Sequence, residues 1–550
     1  MHLEPTEAWR ILRICAASIA IFLLAVHLIK LKKNVPLFYC WLGAIAVLGG
    51  AAAFFLPIAV NSGFAKDDDG SALRQAILYT TGGLLGVITL GETHRKNNQE
   101  KEKNENDHTR QVYAERRSRY TKAVEQLANE KAAVRLGGIY TLAGLVDEWL
   151  ADDTLESEEQ QKEGQVIINN LCSYIRSPFP LAAKIEEYEA RKELEKLQKT
   201  ESEKLREAES LRLQVLLKRF EDSGEYEKHE DITADYAKFH EEQDVRRTIF
   251  VEMSKRSSTF PKNDEGEIIE TVPGIWSDFD FDFSRAPIFY PLSSLTIEKG
   301  NFSSAKFYSN ADFSEATFTQ NADFSEATFT QNANFRRATF TQTAYFSRAK
   351  FTQNAYFSVA TFTQTANFSV ATFIQNAHFS GATFTQTANF SVATFTQTAD
   401  FNWATFTQTA DFSEVTFAQT ADFSWATFTQ TADFSWATFT QTADFSWATF
   451  SASSPKFVEI SEVLERTFRA RFATLPKNQR AYSFTVSKGS FPILLGEAEL
   501  GNGVKHHIPV GTVLFDPNSW DEENQEYTRV SEPAEPLDKS TDGEEEKPAE

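Results

Sequence analysis

Cysteine is scarce in this chain, with three residues among 550, and histidine contributes only nine. Cys15 and Cys40 fall in apolar segments and Cys172 in a segment with a helical pattern, and these spacings indicate neither a disulfide framework nor a zinc site. The adjacent His506 and His507 have no spaced Cys or His partners. We therefore expect a protein that is not an enzyme, with no catalytic, metal-binding or cofactor-binding residues. The large domain is expected in a reducing compartment.

Basic residues are also outnumbered, since 55 Lys and Arg stand against 77 Asp and Glu, for a net charge of −22. A protein that binds nucleic acid through its phosphates needs clustered bases. The clusters at residues 116–119 and 336–337 are small. The composition therefore argues against nucleic acid as a partner.

An eleven-residue repeat fills residues 301–450, and its cleanest copies read ADFSWATFTQT. Its Phe residues alternate between spacings of five and six, which gives fourteen units. These spacings place no continuous apolar stripe on one side of a helix, and no turn signals divide the segment into hairpins. The pattern predicts a β-solenoid in which Phe and the Ala two residues earlier point inward. Representative core positions are Phe313, Phe318, Phe324, Phe329, Phe423, Phe428, Phe434 and Phe439.

Each unit contains two pentads, as in 311–315 (ADFSE) and 432–436 (ADFSW). These pentads resemble the pentapeptide-repeat proteins, whose motif is A(D/N)(L/F)(S/T)x. The resemblance implies a right-handed quadrilateral β-helix with about four pentads per coil. This chain departs from the family pattern by inserting one further residue in every unit and by placing Phe at the centre of each pentad. We therefore predict 22 residues per coil rather than 20, about seven coils, and a wider interior that Phe fills and Leu would not.

One position in each unit, two residues after the first Phe, varies along the repeat. With two units per coil, Trp403, Trp425 and Trp447 fall on one side of the solenoid and Trp436 on the opposite side. Exposed apolar patches commonly mark contacts, so these four Trp are the candidate contacts for a protein partner. The alternative is that Trp closes the solenoid end or packs under the C-terminal segment.

Residues 1–91 have the composition of a membrane anchor. The apolar runs 11–29 and 37–60 are long enough to span a bilayer, and no cleavage site follows the first. The run 76–91 is a third candidate span, with a buried or interfacial helix as the alternative. Charges in the connecting segments predict an external N-terminus and a cytoplasmic location beyond about residue 92. These charges are Lys30, Lys32 and Lys33, then Asp67, Asp68 and Asp69, then Arg95, Lys96, Lys101 and Lys103.

The middle of the chain is charged and predominantly helical. Residues 92–111 form a polar juxtamembrane link, helical or disordered, and 112–256 a helical domain with a break near 129–131. Segments 166–176 and 244–256 resemble helices of membrane-anchored pentapeptide-repeat proteins. Segment 183–220 carries an irregular heptad pattern, which fits either a coiled coil or a solvated helix. Whether the chain oligomerises through that segment stays open.

Both flanks of the repeat look different from it. Residues 276–289 are an imperfect first coil, so the solenoid spans 276–450. In the 451–515 unit, 458–472 has the pattern of an amphipathic cap helix, while 482–487 and 510–515 favour strands of a small β unit. Residues 516–550 are predicted to be a disordered acidic tail.

The sequence therefore predicts a multi-pass protein of the bacterial plasma (inner) membrane, whose N-terminal helices contact lipid and whose bulk is cytoplasmic. Its function would be that of a non-catalytic scaffold that presents the solenoid to a protein partner of unknown identity. The alternative is a DNA-mimicking regulator of DNA gyrase or another topoisomerase, as in some soluble pentapeptide-repeat proteins. The repeat carries ten acids against five bases, a sparse imitation of DNA.

Overall fold

A computed structural model describes most of the chain. It divides into two compact units, Met1–Arg117 and Ser118–Glu550. The described residues are 4–28, 37–61, 69–199, 207–221, 230–261, 270, 272–463, 465–474, 482–501, 503–521 and 526–537.

In the N-terminal unit, helices α1 (Pro5–Leu28) and α2 (Leu37–Ala59) pack against each other. Their segments Pro5–Ala25 and Phe38–Ala59 are long and apolar enough to cross a membrane, judged by length and composition. Helix α3 extends from Asp69 to Leu127 without interruption. The third candidate span, 76–91, is therefore helical but is not among the segments that meet this test.

Helix α3 packs closely on α2, because a Cβ added at Gly49 would collide with the Thr81 side chain. Several apolar side chains of 76–91, such as Tyr79 and Val87, are exposed. The polar segment 92–111 is helical rather than disordered. The charges of 30–33 and 67–68 lie outside the described residues, so the orientation across a membrane stays a prediction.

The helical part of the second unit contains α4 (Ala132–Leu150), α5 (Ser157–Arg176) and α8 (Glu230–Ser254). A 3-10 turn, Pro180–Lys184, follows α5. Helix α4 packs on both α5 and α8. The interruption between α3 and α4 covers the predicted break at 129–131, where the Asn129 side chain accepts a hydrogen bond from the Lys131 N–H.

The segment predicted as a coiled coil or a solvated helix forms two helices, α6 (Ile185–Lys199) and α7 (Glu207–Glu221). They pack on each other through a small core that includes Leu197 and Leu216. Arg212 pairs with Glu193 across them at 3.0 Å. A coiled coil and oligomerisation through this segment stay predictions.

The solenoid has four faces, each a parallel sheet of two- or three-residue strands stacked coil on coil. Face 1 contains Phe281–Asp282, Gly300–Asn301, Ala322–Asp323, Ala344–Tyr345, Ala366–Asn367, Ala388–Asn389, Ala410–Asp411 and Ala432–Asp433. Face 2 contains Pro287–Ile288, Lys306–Phe307, Thr328–Phe329, Lys350–Phe351, Thr372–Phe373, Thr394–Phe395, Thr416–Phe417, Thr438–Phe439, Arg471–Ala473 and Val513–Phe515. Face 3 contains Ala311–Asp312, Ala333–Asn334, Ala355–Tyr356, Ala377–His378, Ala399–Asp400, Ala421–Asp422, Ala443–Asp444 and Tyr482–Ser483. Face 4 contains Thr296–Ile297, Thr317–Phe318, Thr339–Phe340, Thr361–Phe362, Thr383–Phe384, Thr405–Phe406, Thr427–Phe428 and Thr449–Phe450.

The register confirms a coil of 22 residues, since Ala333 pairs with Ala311 on one side and with Ala355 on the other. Each Phe therefore lies over the Phe of the next coil. Phe362 stacks on Phe340 at a centroid distance of 4.7 Å and an interplanar angle of 2°. Neighbouring columns meet edge to face, which gives the interior both geometries that aromatic rings favour.

Polar side chains satisfy the backbone between coils. The Thr that follows the second Phe of a unit uses its hydroxyl as a donor to the coil below. Thr429 Oγ1, for example, donates to the Thr407 carbonyl at 2.6 Å. The Thr that directly follows Phe in the TFTQT motif thus has a structural role, because its hydroxyl bonds to the backbone of the neighbouring coil.

Helices α5 and α8 cover the first coil. Phe250 of α8 lies 4.5 Å from Phe283 by ring centroids, and Arg176 of α5 pairs with Asp282. Phe281 and Phe283 are buried, which confirms the imperfect first coil. The open N-terminal end of the stack is therefore closed by helices, as terminal repeats require.

At the same end, the Glu298 carboxyl is fully buried. Its Oε1 accepts a hydrogen bond from the Ser258 N–H at 2.6 Å, and its Oε2 is hydrogen-bonded to Thr319 Oγ1. Burial raises the pKa of Glu298, against the smaller opposing effect of the Ser258 hydrogen bonds. This carboxyl joins the segment after α8 to the solenoid.

The predicted cap helix at 458–472 is wrong. This segment forms the antiparallel strands Val458–Ser461 and Arg466–Arg469, followed by Arg471–Ala473 on face 2. The reason is that Phe472 stacks on Phe439 at 4.9 Å and Phe457 stacks on Phe434 at 5.4 Å. Continuing the buried stack outweighs the helical pattern of the intervening residues.

The predicted strands at 482–487 and 510–515 are present as Tyr482–Ser483 and Val513–Phe515, but they extend faces 3 and 2 of the solenoid rather than forming the small β unit. The small β unit is built from other residues. Strands Leu495–Glu499, Lys505–Pro509 and Glu535–Pro536 form one sheet, and Trp520–Asp521 pairs with Glu526–Tyr527. The 3-10 turn Pro517–Ser519 is capped by the Asp516 side chain. The prediction of disorder from residue 516 onward is therefore wrong for these described residues, and 538–550 lie outside them.

Phe362→Ala should lower the free energy of unfolding by about 3–5 kcal/mol, because it opens a cavity in a sealed column. Phe362→Leu should still cost about 1–2 kcal/mol, since it loses volume and ring stacking. Urea unfolding followed by far-UV circular dichroism measures both. Exposed Gln364→Ala in the same coil, the control, should change stability by less than about 0.5 kcal/mol. A Leu variant as stable as wild type would contradict the requirement for Phe.

The buried Glu298 should make stability depend on pH. Because its folded pKa is raised, its contribution is fully present below the unfolded pKa and is lost as pH rises through the folded pKa. Glu298→Gln should therefore gain thermal stability relative to wild type between about pH 5 and about pH 8. Melting curves of both proteins across that range provide the measurement. If the melting temperatures of wild type and Glu298→Gln change with pH in parallel, burial does not raise the pKa of Glu298, and the prediction is contradicted.

Candidate partner-binding surface

The variable residues of the repeat occupy two corners of the solenoid. Those between faces 1 and 2 form the valine corner: Ser304, Glu326, Arg348, Val370, Val392, Glu414 and Trp436. Those between faces 3 and 4 form the tryptophan corner: Glu315, Arg337, Val359, Gly381, Trp403, Trp425 and Trp447.

These corner residues share a left-handed backbone, with φ values such as 58° at Val359 and 60° at Trp425. In most units the turn is held by the Asp or Asn that directly follows the Ala of the preceding strand. Asp422 Oδ1, for example, accepts from the Ser424 N–H at 2.9 Å, and the Trp425 N–H donates to the Ser446 carbonyl at 2.9 Å. Sequence reasoning missed this conformation, although Asp or Asn two residues before Ser is a turn signal.

Three Trp stack in the open, on one corner, as the sequence predicts. Trp403 lies over Trp425 with centroids 4.9 Å apart at 4°, and Trp425 over Trp447 at 5.4 Å and 14°. Their exposed fractions are 59%, 44% and 51%. We call these residues the tryptophan ladder. The coil spacing holds the rings in contact without any covering segment among the described residues.

Trp436 lies on the opposite corner and has a different environment. Its ring is 4.8 Å from Phe468 of the C-terminal hairpin, and the Arg471 guanidinium lies 5.7 Å above it. It is half-buried. Trp436 therefore packs under the C-terminal segment, which was the alternative expected from the sequence, whereas the three residues of the tryptophan ladder do not.

A column of carboxylates lies on face 3, three residues before each ring of the ladder. It consists of Asp400, Asp422 and Asp444. Burial raises the pKa of Asp422, and the charges of its two neighbours in the column raise it further. Asp400 Oδ2 also lies 3.6 Å from His378 Nδ1. From residue 379 to 455 the sequence contains six acids and no Lys, Arg or His.

Nearer the N-terminal end, both corners become charged. Arg337 pairs with Glu315 at 3.5 Å, and Arg348 pairs with Glu326 at 3.9 Å. All four side chains are mostly exposed, so these pairs add little to stability. On the tryptophan corner, the charged residues Glu315 and Arg337 are thus separated along the axis from the tryptophan ladder.

The core positions predicted from sequence are all buried in the Phe columns. Outside the repeat, burial raises the pKa of the Cys172 thiol to about 12. In the part of the chain that the structure describes, no group of three or more His, Cys, Asp or Glu side chains is placed to hold a metal ion. His507 lies 3.9 Å from Glu497 in the C-terminal sheet.

Comparison with known proteins gives one match. A family model described as pentapeptide repeats (9 copies) matches residues 302–350, 346–394 and 382–426. No curated protein and no solved structure matches the chain significantly. The match covers most of the regular coils and includes Trp403 and Trp425.

The left-handed corners predict an unusual order of substitutions. Val370→Gly should be more stable than Val370→Ala by about 1 kcal/mol, because Gly adopts positive φ without a Cβ clash. At Thr372, in an extended strand, Ala should instead be more stable than Gly by about 0.5–1 kcal/mol. Chemical unfolding of the four variants tests this, and the same order at both positions would contradict the corner geometry.

Proposed function

Because the solenoid of this chain is a pentapeptide-repeat domain, we propose that the protein is a non-catalytic scaffold that binds a protein partner on the tryptophan ladder. A stack of closed coils offers a rigid surface, so binding costs little ordering of the scaffold itself. The proposal is supported by the exposed ladder.

The proposal places the scaffold at a membrane. Pro5–Ala25 and Phe38–Ala59 support this through their length and composition. The bacterial plasma membrane, more than one span and a cytoplasmic solenoid are part of the proposal. They rest on the charges between the apolar runs and on the family resemblance.

The stacked, exposed Trp rings carry the proposal. Trp is enriched among interface residues whose removal costs most, since it buries a large area with few rotatable bonds. Three such rings here occupy successive coils, at spacings of 4.9 and 5.4 Å, and leave about half of each side chain in water. A partner that covers them would gain apolar burial at three adjacent points.

DNA mimicry has weaker support from the surface. A mimic needs an extended array of unpaired negative charge. Here Glu315 and Glu326 pair with Arg337 and Arg348 one coil away. Asp433 likewise pairs with Lys456 at 3.1 Å. The carboxylate column of Asp400, Asp422 and Asp444 spans only three coils, which is short for such an array. We therefore propose the protein partner alone.

Photo-crosslinking in membranes tests the scaffold directly. A photoreactive residue at Trp425 should capture one predominant protein, and the same residue at exposed Gln430, on another corner of the same coil, should not. Replacing Trp403, Trp425 and Trp447 with Ser should remove at least about 90% of partner recovery while the solenoid stays folded, because the anchors are lost.

Val370→Ser with Val392→Ser on the valine corner is the matched control, and it should leave recovery unchanged. Equal capture from Trp425 and Gln430 would contradict a face-specific scaffold. An equal loss of partner recovery in the triple Trp→Ser variant and in the double Val→Ser variant would contradict it as well. Unfolding of the triple Ser variant, seen by circular dichroism, would show that the ladder is structural.

A further inference from the structure

The tryptophan ladder ends at a gap. The corner residue one coil before Trp403 is Gly381, and the one before that is Val359. A Cβ added at Gly381 would meet only Val359 Cγ2, at 3.7 Å. One face of the Trp403 ring therefore borders a space in which the stack lacks one side chain. We call this space the glycine notch.

The dimensions of the notch suit a flat group. Coils are about 4.8 Å apart, so Val359 and Trp403 are separated by about 10 Å along the axis. A planar group in the notch would stack on Trp403 much as Trp425 does on its other face, at 4.9 Å. The corner backbone also tolerates large side chains, since Trp403 has φ 57° and Gly381 φ 65°.

The notch borders negative charge on its C-terminal side. Asp400 lies in the strand just before Trp403, and Asp422 and Asp444 continue the carboxylate column along the ladder. His378, in the coil of Gly381, lies beside Asp400. No base occurs in the 379–455 sequence, whereas on the other side of the notch Arg337, which pairs with Glu315, lies two coils before Gly381. A cation is therefore complementary to the notch and the adjoining column.

We propose that the glycine notch receives an arginine side chain from the protein partner, with the guanidinium stacked on Trp403 and the partner segment lying along the carboxylate column. This inference rests on the proposed function and names the partner chemistry as an arginine-rich segment. Guanidinium is planar, stacks on aromatic faces and pairs with carboxylates. The lysine ammonium is compact and strongly hydrated, so it gains less than guanidinium does from stacking on the Trp403 ring in the notch.

The test uses the full-length protein in a non-ionic detergent, with fluorescent nona-arginine and nona-lysine peptides followed by fluorescence polarisation. Nona-arginine should bind at least about tenfold more tightly than nona-lysine, because only guanidinium stacks in the notch. Gly381→Trp extends the ladder into the notch and should weaken nona-arginine binding about tenfold. Val392→Trp, the matched change on the valine corner, should leave binding within about twofold.

Trp403→Ser provides a second route that does not depend on filling the notch, and it should weaken nona-arginine binding to a similar extent. Equal affinities for the two peptides would overturn the proposal, since they would indicate attraction by net charge alone. Unchanged nona-arginine binding by folded Gly381→Trp, or no measurable binding to wild type, would overturn it as well.

The failure of this inference can be separated from the failure of the scaffold proposal. If the partner captured from Trp425 is recovered equally well with wild type and Gly381→Trp, the notch is not its contact, whereas the ladder still is. If nothing is captured from Trp425 but the peptides behave as expected, the notch binds arginine and the scaffold proposal fails.

Discussion

The stacking of Phe on Phe at the spacing of a β-ladder is the constraint from which the rest of the solenoid follows. Backbone pairing fixes the coils about 4.8 Å apart, a distance at which parallel aromatic rings are in contact. Phe340, Phe362 and Phe384 lie at 4.7 and 4.8 Å, so one geometry satisfies both the backbone and the core. Within the regular repeat, a coil of 20 residues would place Gln342 rather than Phe340 against Phe362 and break the columns.

The same register dictates the surface. Because equivalent residues lie directly above one another, a residue type repeated every 22 positions becomes a continuous column outside the core. Trp403, Trp425 and Trp447 become a stack, and Asp400, Asp422 and Asp444 become a row of carboxylates beside it. A single change such as Gly381 then appears as a defined gap in that column. Columns of one residue type along the solenoid axis are thus a direct consequence of the register.

Sequence reasoning reached the coil length, the inward Phe and the alignment of three Trp, because each follows from a strict period. It failed where the period stops. The stacking of Phe457 and Phe472 could not be read from irregular spacing, so 458–472 looked like a helix. The cover over Trp436 and the pairing of Glu535–Pro536 depend on contacts between distant segments, which local patterns do not contain. The positive φ of the corners was missed since Val and Trp rarely adopt it.

Distances between spin labels test the 22-residue register most directly. With the three native cysteines replaced by alanine, labels at Arg337 and Trp447 lie five coils apart on the tryptophan corner. Electron–electron double resonance should then give about 24 Å, and a pair at Glu315 and Trp447, six coils apart, about 29 Å. An increase of about one coil spacing between the pairs supports the account. A Glu315 pair no longer than the Arg337 pair would contradict the register and the alignment of the tryptophan ladder with it.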